Sequence, residues 1–419
     1  MTISLNLLFK KFSKIGFLSF GGPAAQIALM HKILVEEEKW LKEKEFLSAL
    51  SFCMLLPGPE AMQLATYAGW QLRGIFGGLI AGLLFVLPGA FVVLVLSILY
   101  LEFGQTNTLS IFFTGIKAAV LIIVFQALVK VAQKTFSEPM HYCLALASFI
   151  GIFFFNIPFP LIIIAAALTG YLTTKSGGEK HKTHNISPIQ PLKIFTTGGL
   201  IWIAPLILIY FFSDDEILIQ IWLFFSQLAV VTFGGAYAVL AYMTQAVVGD
   251  YGWMTSSQMI DALGLAETTP GPLILVTQFV GFFAAASEGS IWFGIIGATL
   301  TLWVTFVPCF IWIFAGAPYI SWLSGLKQLS GALTAISAAV VGVIANLSIW
   351  FAMHALFQSV SYEKIGPIRI LIPEMATINV PIILLTAFAA GLIVRLKVNV
   401  ISTLILLAIA SYGLSFTTL

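Results

Sequence analysis

The chain has 419 residues, 59% of them hydrophobic and 9% charged, and its mean hydropathy of +1.01 excludes an ordinary soluble domain. A formal net charge of +2 offers nothing to a nucleic acid. Cys53, Cys143 and Cys309 are scattered through apolar segments, which makes neither a disulfide framework nor a metal set; all three are expected to be small buried hydrophobes.

The first residues place Lys10, Lys11 and Lys14 in a short amphipathic run, expected to be an interfacial helix on the cytoplasmic face. Apolar segments then follow near 15–35, 46–70, 74–101, 109–131, 141–156 and 158–173. A polar loop at 175–193 precedes a lone span at 194–212, after which segments recur near 217–248, 259–286, 290–315, 329–357, 377–396 and 399–416. This pattern predicts an all-α polytopic membrane protein of two homologous halves, each with about six membrane elements. The expected division is an N-terminal repeat at 1–175, a cytoplasmic loop and linking span at 176–213, and a C-terminal repeat at 214–419.

Duplication is visible within the one chain. A shift of 213 residues lays Phe20, Gly21 and Gly22 on Phe233, Gly234 and Gly235, Trp40 on Trp253, and Pro57-Gly58-Pro59 on Pro270-Gly271-Pro272 without a gap. Further along the register drifts, so that Pro88 answers to Pro308. Lysine and arginine in short loops mark the cytoplasmic side: Arg73, Lys130, Lys134, Lys175, Lys180, Lys182 and Lys193 all fall inside if the N-terminus is cytoplasmic. An odd number of elements before the second half inverts it. The loop holding Lys32, Lys39, Lys42 and Lys44 corresponds to 244–252, which carries no basic residue, as inversion predicts. Lys364 and Arg369, with Glu363 and Glu374 nearby, fall outside and run against the scheme.

Each PGP interrupts a segment that would otherwise enter the membrane whole. Proline lacks an amide hydrogen and clashes with the preceding turn, so each segment becomes two half-helices around a break. Such backbone cannot face lipid and must be buried or line a wet cavity. The charge bias favours broken segments that re-enter over ones that cross. Gly74, Gly77, Gly78 and Gly82 give small-residue spacing suited to close helix packing.

FGGP at 20–23, Trp40, LLPGPEAMQLATYAGW at 55–70, GGLIAGLLFVLPG at 77–89 and ETTPGPLILVTQFVGF at 267–282 together resemble the chromate ion transporter family in its long, duplicated form. The resemblance implies a secondary transporter of the cell membrane that moves chromate out of the cytoplasm, with sulfate as the chemically similar anion. It departs from a strict repeat where Pro23 becomes Ala236.

An oxyanion site is physically reasonable at the breaks, because a helix restarting after PGP turns unpaired amides and its positive dipole end toward the gap. Candidate binding residues are Gly21, Gly22, Pro57, Gly58, Pro59 and Gln63, then Gly234, Gly235, Thr268, Thr269, Pro270, Gly271, Pro272 and Gln278. Two proline-kinked helices that merely pack are the alternative, and for Gln63 and Gln278 the plainer reading is core hydrogen bonding. Glu60 and Glu267 flank the breaks. Each is either a protonatable coupling group or a cap acid bonded to exposed amides. Lys117 lies roughly 12 Å into a ~30 Å core and either compensates a dianion or pairs with a carboxylate. No catalytic residue, metal or cofactor is expected, and the HxxH pair His181 and His184 sits in a hydrophilic loop. An anion channel, or an intramembrane enzyme acting on a lipid phosphate, are the rival readings; a homodimer is left open.

Overall fold

A computed structural model describes residues 3–104, 106–175, 189–213, 215–233, 235–320 and 326–416. Gly234, Lys180, Lys182, His181 and His184 lie outside the described residues. The helices in chain order are α1 (Leu5–Leu18), α2 (Gly22–His31), α3 (Glu43–Cys53), α4 (Glu60–Phe103), α5 (Asn107–Thr135), α6 (Pro139–Phe153), α7 (Phe159–Thr173) and α8 (Ile189–Phe212). The second half supplies α9 (Glu216–Val231), α10 (Ala236–Thr244), α11 (Ser256–Thr268), α12 (Val276–Ala286), α13 (Ile291–Gly316), α14 (Lys327–Leu356), α15 (Val380–Ala390) and α16 (Val400–Ser415). One antiparallel hairpin, β1 (Val360–Ile365) and β2 (Ile368–Pro373), stands between α14 and α15.

The chain forms two compact units, and each draws on both sequence halves. The first comprises Met1–Ser97, Thr174–Ala236 and Thr269–Ser330; the second comprises Ile98–Thr173, Tyr237–Thr268 and Gly331–Leu419.

In the first unit, α4 is two helices. At Arg73 (φ −145°, ψ 27°) and Gly74 (φ 64°, ψ −158°) the chain leaves helical geometry, which glycine tolerates at positive φ. The limbs on either side fold against each other through Gly69 and Gly77, where a Cβ on either residue would collide with the carbonyl of the other. A Cβ on Gly78 would strike Phe314, and one on Gly82 would strike Thr66 and Phe310. The expected close packing is therefore present at Gly77, Gly78 and Gly82, with no room for a methyl group, whereas Gly74 has nothing within 4 Å of a Cβ and serves the bend instead. The second repeat builds the same hairpin from α12 and α13, where Gly297 meets the Gly281 carbonyl. The linking helix α8 buries none of its most apolar window and exposes Leu200, Phe211 and Phe212, as a span facing hydrocarbon must. The α1 helix seats Leu8, Phe12 and Ile15 in the core and brings Gly16 against the Leu84 backbone. Lys11 pairs with Glu38.

In the second unit, α5 packs with α11, α15 and α16. Gly115 meets the Leu407 backbone and Gly342 the Ala145 carbonyl. Cys53 and Cys309 are buried as expected, but Cys143 is exposed. Its position in α6 lies on the outward side, with Tyr142 and Leu146 also exposed, so its apolar character meets the surroundings of the helix and not the core.

Local geometry repeats across the halves. Both α2 and α10 run into π-helical turns, Lys32–Glu37 and Gln245–Asp250. Each turn ends on the aligned tryptophan: the Trp40 amide donates to the Leu34 carbonyl at 2.8 Å and that of Trp253 to Val247 at 3.0 Å.

Candidate functional site

The breaks of the two repeats are joined crosswise within the first unit. After α1 the chain makes an inverse γ-turn at Ser19 (φ −78°, ψ 68°), with the Phe20 amide donating to the Leu18 carbonyl at 2.9 Å. After α9 it does the same at Thr232 (φ −75°, ψ 81°), with Phe233 donating to Val231 at 3.0 Å. Each turn frees a carbonyl, and each carbonyl is taken by the glycine of the other repeat's PGP. Gly271 N–H donates to Ser19 O at 2.8 Å, and Gly58 N–H donates to Thr232 O at 2.9 Å. Ser19 Oγ donates to Ile15 O at 2.6 Å, and Thr232 Oγ1 makes the corresponding bond to Leu228 O. Buried backbone groups are thus satisfied at positions where helix bonding has ended.

Neighbouring side chains brace the crossing. Gln26 Nε2 donates to Gly271 O at 2.7 Å and Ser19 O at 3.3 Å. Gly89, beside Pro88, lets the Pro270 carbonyl approach so closely that a Cβ would collide with it. The residue after Pro308 is Cys309, and its Sγ packs at Gly58 instead. Gly58 (φ 121°) and Gly271 (φ 87°) occupy backbone geometry that favours glycine, as do Gly21 (φ 83°), Gly22 (φ 78°) and Gly235 (φ 100°).

The sequence candidates take distinct positions. Pro57, Gly58, Pro270, Gly271 and Pro272 are buried, whereas Pro59 is half-buried. The two glycine amides expected to face an anion are engaged with Ser19 and Thr232. Gln63 Nε2 donates to Pro57 O at 2.7 Å and Gln278 Nε2 to Ala90 O at 3.0 Å. The Oε1 atoms of both are buried and have no partner among the described residues. Thr268 Oγ1 donates to Leu265 O at 2.7 Å, and Thr269 is buried. Glu60 opens α4, where a carboxylate faces the positive end of the helix dipole.

The charged candidates of the second unit have partners. Lys117 Nζ on α5 donates to Ser257 Oγ at 2.6 Å and lies 3.5 Å from Asp261 Oδ1. Tyr100 OH donates to Asp261 Oδ2 at 2.8 Å. Of the two readings of Lys117, pairing with a carboxylate is the observed geometry. Glu267 lies in the last turn of α11, where no amides are exposed, and accepts from Tyr237 OH at 2.7 Å. A cap role does not fit that position. Sequence reasoning missed Ser19, Thr232, Gln26, Tyr100, Tyr237 and Asp261. For Asp261 the signal was there, since a second acid besides Glu267 in the apolar segment 259–286 is costly in a membrane. No cluster of three or more metal-ligating side chains occurs among the described residues.

Sixteen α-helices among the described residues, five of them long and apolar enough to cross a membrane, together with paired broken helices buried among them, define a polytopic membrane transporter. The sequence model of the family described as Chromate transporter matches residues 7–171 and again 219–414, so the chain belongs to the chromate transporter family in a duplicated form. Among its relatives, a probable chromate transport protein of Synechococcus elongatus is 29% identical over 402 residues, covering 93% of this chain and 95% of the relative. The chromate transport protein of Cupriavidus metallidurans is 28% identical, covering 85% and 84%, and that of Pseudomonas aeruginosa is 29% identical, covering 92% of both. No solved structure matches. The protein is a multi-pass transporter of the cell membrane and not an enzyme.

Proposed function

We propose that this protein is a secondary transporter that exports chromate, with sulfate as a related substrate, through a midplane site at the crossing of the two GG and two PGP breaks. The substrate follows from the names of the relatives. What carries the mechanism is the crosswise pairing of Gly58 with Thr232 and Gly271 with Ser19. It holds two helix restarts, at Glu60 and at Leu273, beside one knot of irregular backbone, and restart amides with their dipoles suit a dianion.

The halves are taken as 1–175 and 214–419, joined by 176–213, with the N-terminus cytoplasmic and the second half inverted. Both broken segments are taken to re-enter, which keeps Lys32, Lys39, Lys42 and Lys44 on the cytoplasmic side. Glu267, held by the Tyr237 hydroxyl, is the proton-coupling group; Glu60 serves the restart of α4. The assembly is a monomer or a homodimer, and the site works in one chain either way.

The test is purified protein in liposomes, given chromate and sulfate against imposed pH and voltage gradients. Saturable chromate flux with accumulation driven by a pH gradient is expected. Flux no greater than in empty liposomes removes the substrate, and flux that follows voltage alone without gradient-driven accumulation gives the protein to the channels.

A further inference from the structure

The hairpin carries the two basic residues that run against the charge scheme, and its register shows where they go. Lys364 pairs directly with Arg369, and Tyr362 with Leu371, so these four side chains share one face. Ser361, Glu363, Ile370 and Ile372 take the other. Glu363 therefore cannot neutralise its basic neighbours. The Arg369 amide leaves the ladder and donates to Phe154 O at 2.8 Å, which makes Lys364 and Arg369 a non-hydrogen-bonded pair, the kind in which facing side chains stand closest. Like charges so placed repel. No ion pair relieves either one among the described residues.

Beneath that face, within the second unit, lies a cavity of about 140 Å³ lined by Arg369, Tyr362, Thr244, Gln245, Asn156 and Asp250 among others. That volume is several waters' worth. The Arg369 Cζ stands over the Tyr362 ring, 3.7 Å from its centroid. Arg369 Nε is buried and without a partner among the described residues, as is Thr244 Oγ1. Gln245 and Asn156 are bonded to each other at the wall. A buried guanidinium N–H and a buried hydroxyl, both unanswered, beside a repelling pair of cations call for a polyvalent acceptor carrying negative charge. Asp250 is the one carboxylate on the wall among the described residues, and it forms no ion pair with Arg369.

We propose that this cavity binds a dissolved tetrahedral oxyanion against Arg369 and Thr244, a second site apart from the helix breaks. The choice of anion rests on the substrate class proposed above; the need for an anion rests on the hairpin alone. In the topology proposed above the hairpin is external, so the cavity beneath it belongs to the outer side. The basic residues are there for the ligand and not for orientation.

Sulfate is the probe: equilibrium binding of radiolabelled sulfate to the purified full-length protein, alongside chromate Km in liposomes, for wild type, Arg369→Gln, Arg369→Lys and Glu363→Gln. Arg369→Gln is expected to weaken one sulfate site roughly tenfold and to raise Km from the hairpin side, with the maximal rate within about twofold. Arg369→Lys keeps the charge and should fall between. Glu363→Gln, on the other face, should match wild type. Unchanged sulfate binding and Km in Arg369→Gln overturn the site. If wild type does not transport chromate yet sulfate binding still depends on Arg369, the site stands and the transport reading falls. If that dependence vanishes in anionic phospholipid nanodiscs, the occupant is a lipid phosphate, and a dissolved oxyanion is wrong.

Discussion

The pair Lys117 and Asp261 can be weighed by a double-mutant cycle. Their 3.5 Å separation gives an attraction of about 5 kcal/mol at an effective dielectric of ~20, and this is an upper bound on the coupling. Side-chain exposures of 18% for the lysine and 5% for the aspartate leave little screening, so a coupling of ~2–4 kcal/mol is expected. Lys117→Gln removes the cation from a carboxylate that still has Tyr100 as donor, and Asp261→Asn leaves an ammonium with only Ser257. Breaking such a buried pair from one side costs ~3–5 kcal/mol. The double variant replaces both charges with neutral amides and should be less damaged than the two single losses added together. Unfolding of the purified protein in mixed micelles, followed by tryptophan fluorescence, reads all four corners. Losses that add within about 0.5 kcal/mol would show that no coupling exists, and the lysine would return to the substrate candidates. Chromate Km separates the roles further, because a Km raised equally in Lys117→Gln and the double variant assigns the cation to the anion beyond its pairing.

The crossing and Glu267 yield two further tests. Gly58→Ala places a Cβ 2.8 Å from both Cys309 Sγ and Gln63 Nε2 on backbone that disfavours side chains, so it should lower stability by ~1–3 kcal/mol and chromate flux with it. Gly271→Ala carries the same backbone strain but meets first the mobile end of Leu275 at 3.1 Å, so its loss should be the smaller; the reverse order in thermal unfolding would contradict the geometry. Glu267→Gln should leave chromate binding in place while abolishing the response of flux to a pH gradient, and an unaltered pH profile would remove this residue from the mechanism.

What was legible in the sequence was local. Proline and glycine act on their own backbone, so PGP and GG announced the breaks, and the 213-residue offset placed Ser19 opposite Thr232 even though neither was singled out. The bonds from Gly271 to Ser19 and from Gly58 to Thr232 join residues far apart in sequence, and no periodicity encodes them. Asp261 was hidden for a similar reason: its importance comes from Lys117 and Tyr100, which other helices deliver. The hairpin had a visible signature, with alternating residues on both sides of Gly366-Pro367. In so apolar a chain that signature reads as a loop between spans. Cys143 shows the converse error, because in a membrane a small apolar side chain need not point inward.

The two repeats agree in scaffold and differ in charge. Ser19 and Thr232, Gly58 and Gly271, and the π turns ending at Trp40 and Trp253 are pairs with nearly the same local geometry. Where Asp261, Glu267 and Tyr237 stand in the second repeat, the aligned positions of the first hold Ser48, Met54 and Ala24. Lys117 answers to Ser337. A scaffold that repeats with inversion, as proposed above, can exchange the conformations of its halves at little net cost, because the pseudo-two-fold relation gives both states nearly the same set of contacts. Charges placed differently in the two repeats, Glu60 and Lys117 in the first and Asp261 and Glu267 in the second, break that equality. On the proposed mechanism, protonation of Glu267 would then favour one state over the other, and a directional cycle requires that bias. On the proposed mechanism, symmetric breaks without Glu267 would leave a route with no coupling, and Glu267 without the breaks would have no substrate site to bias.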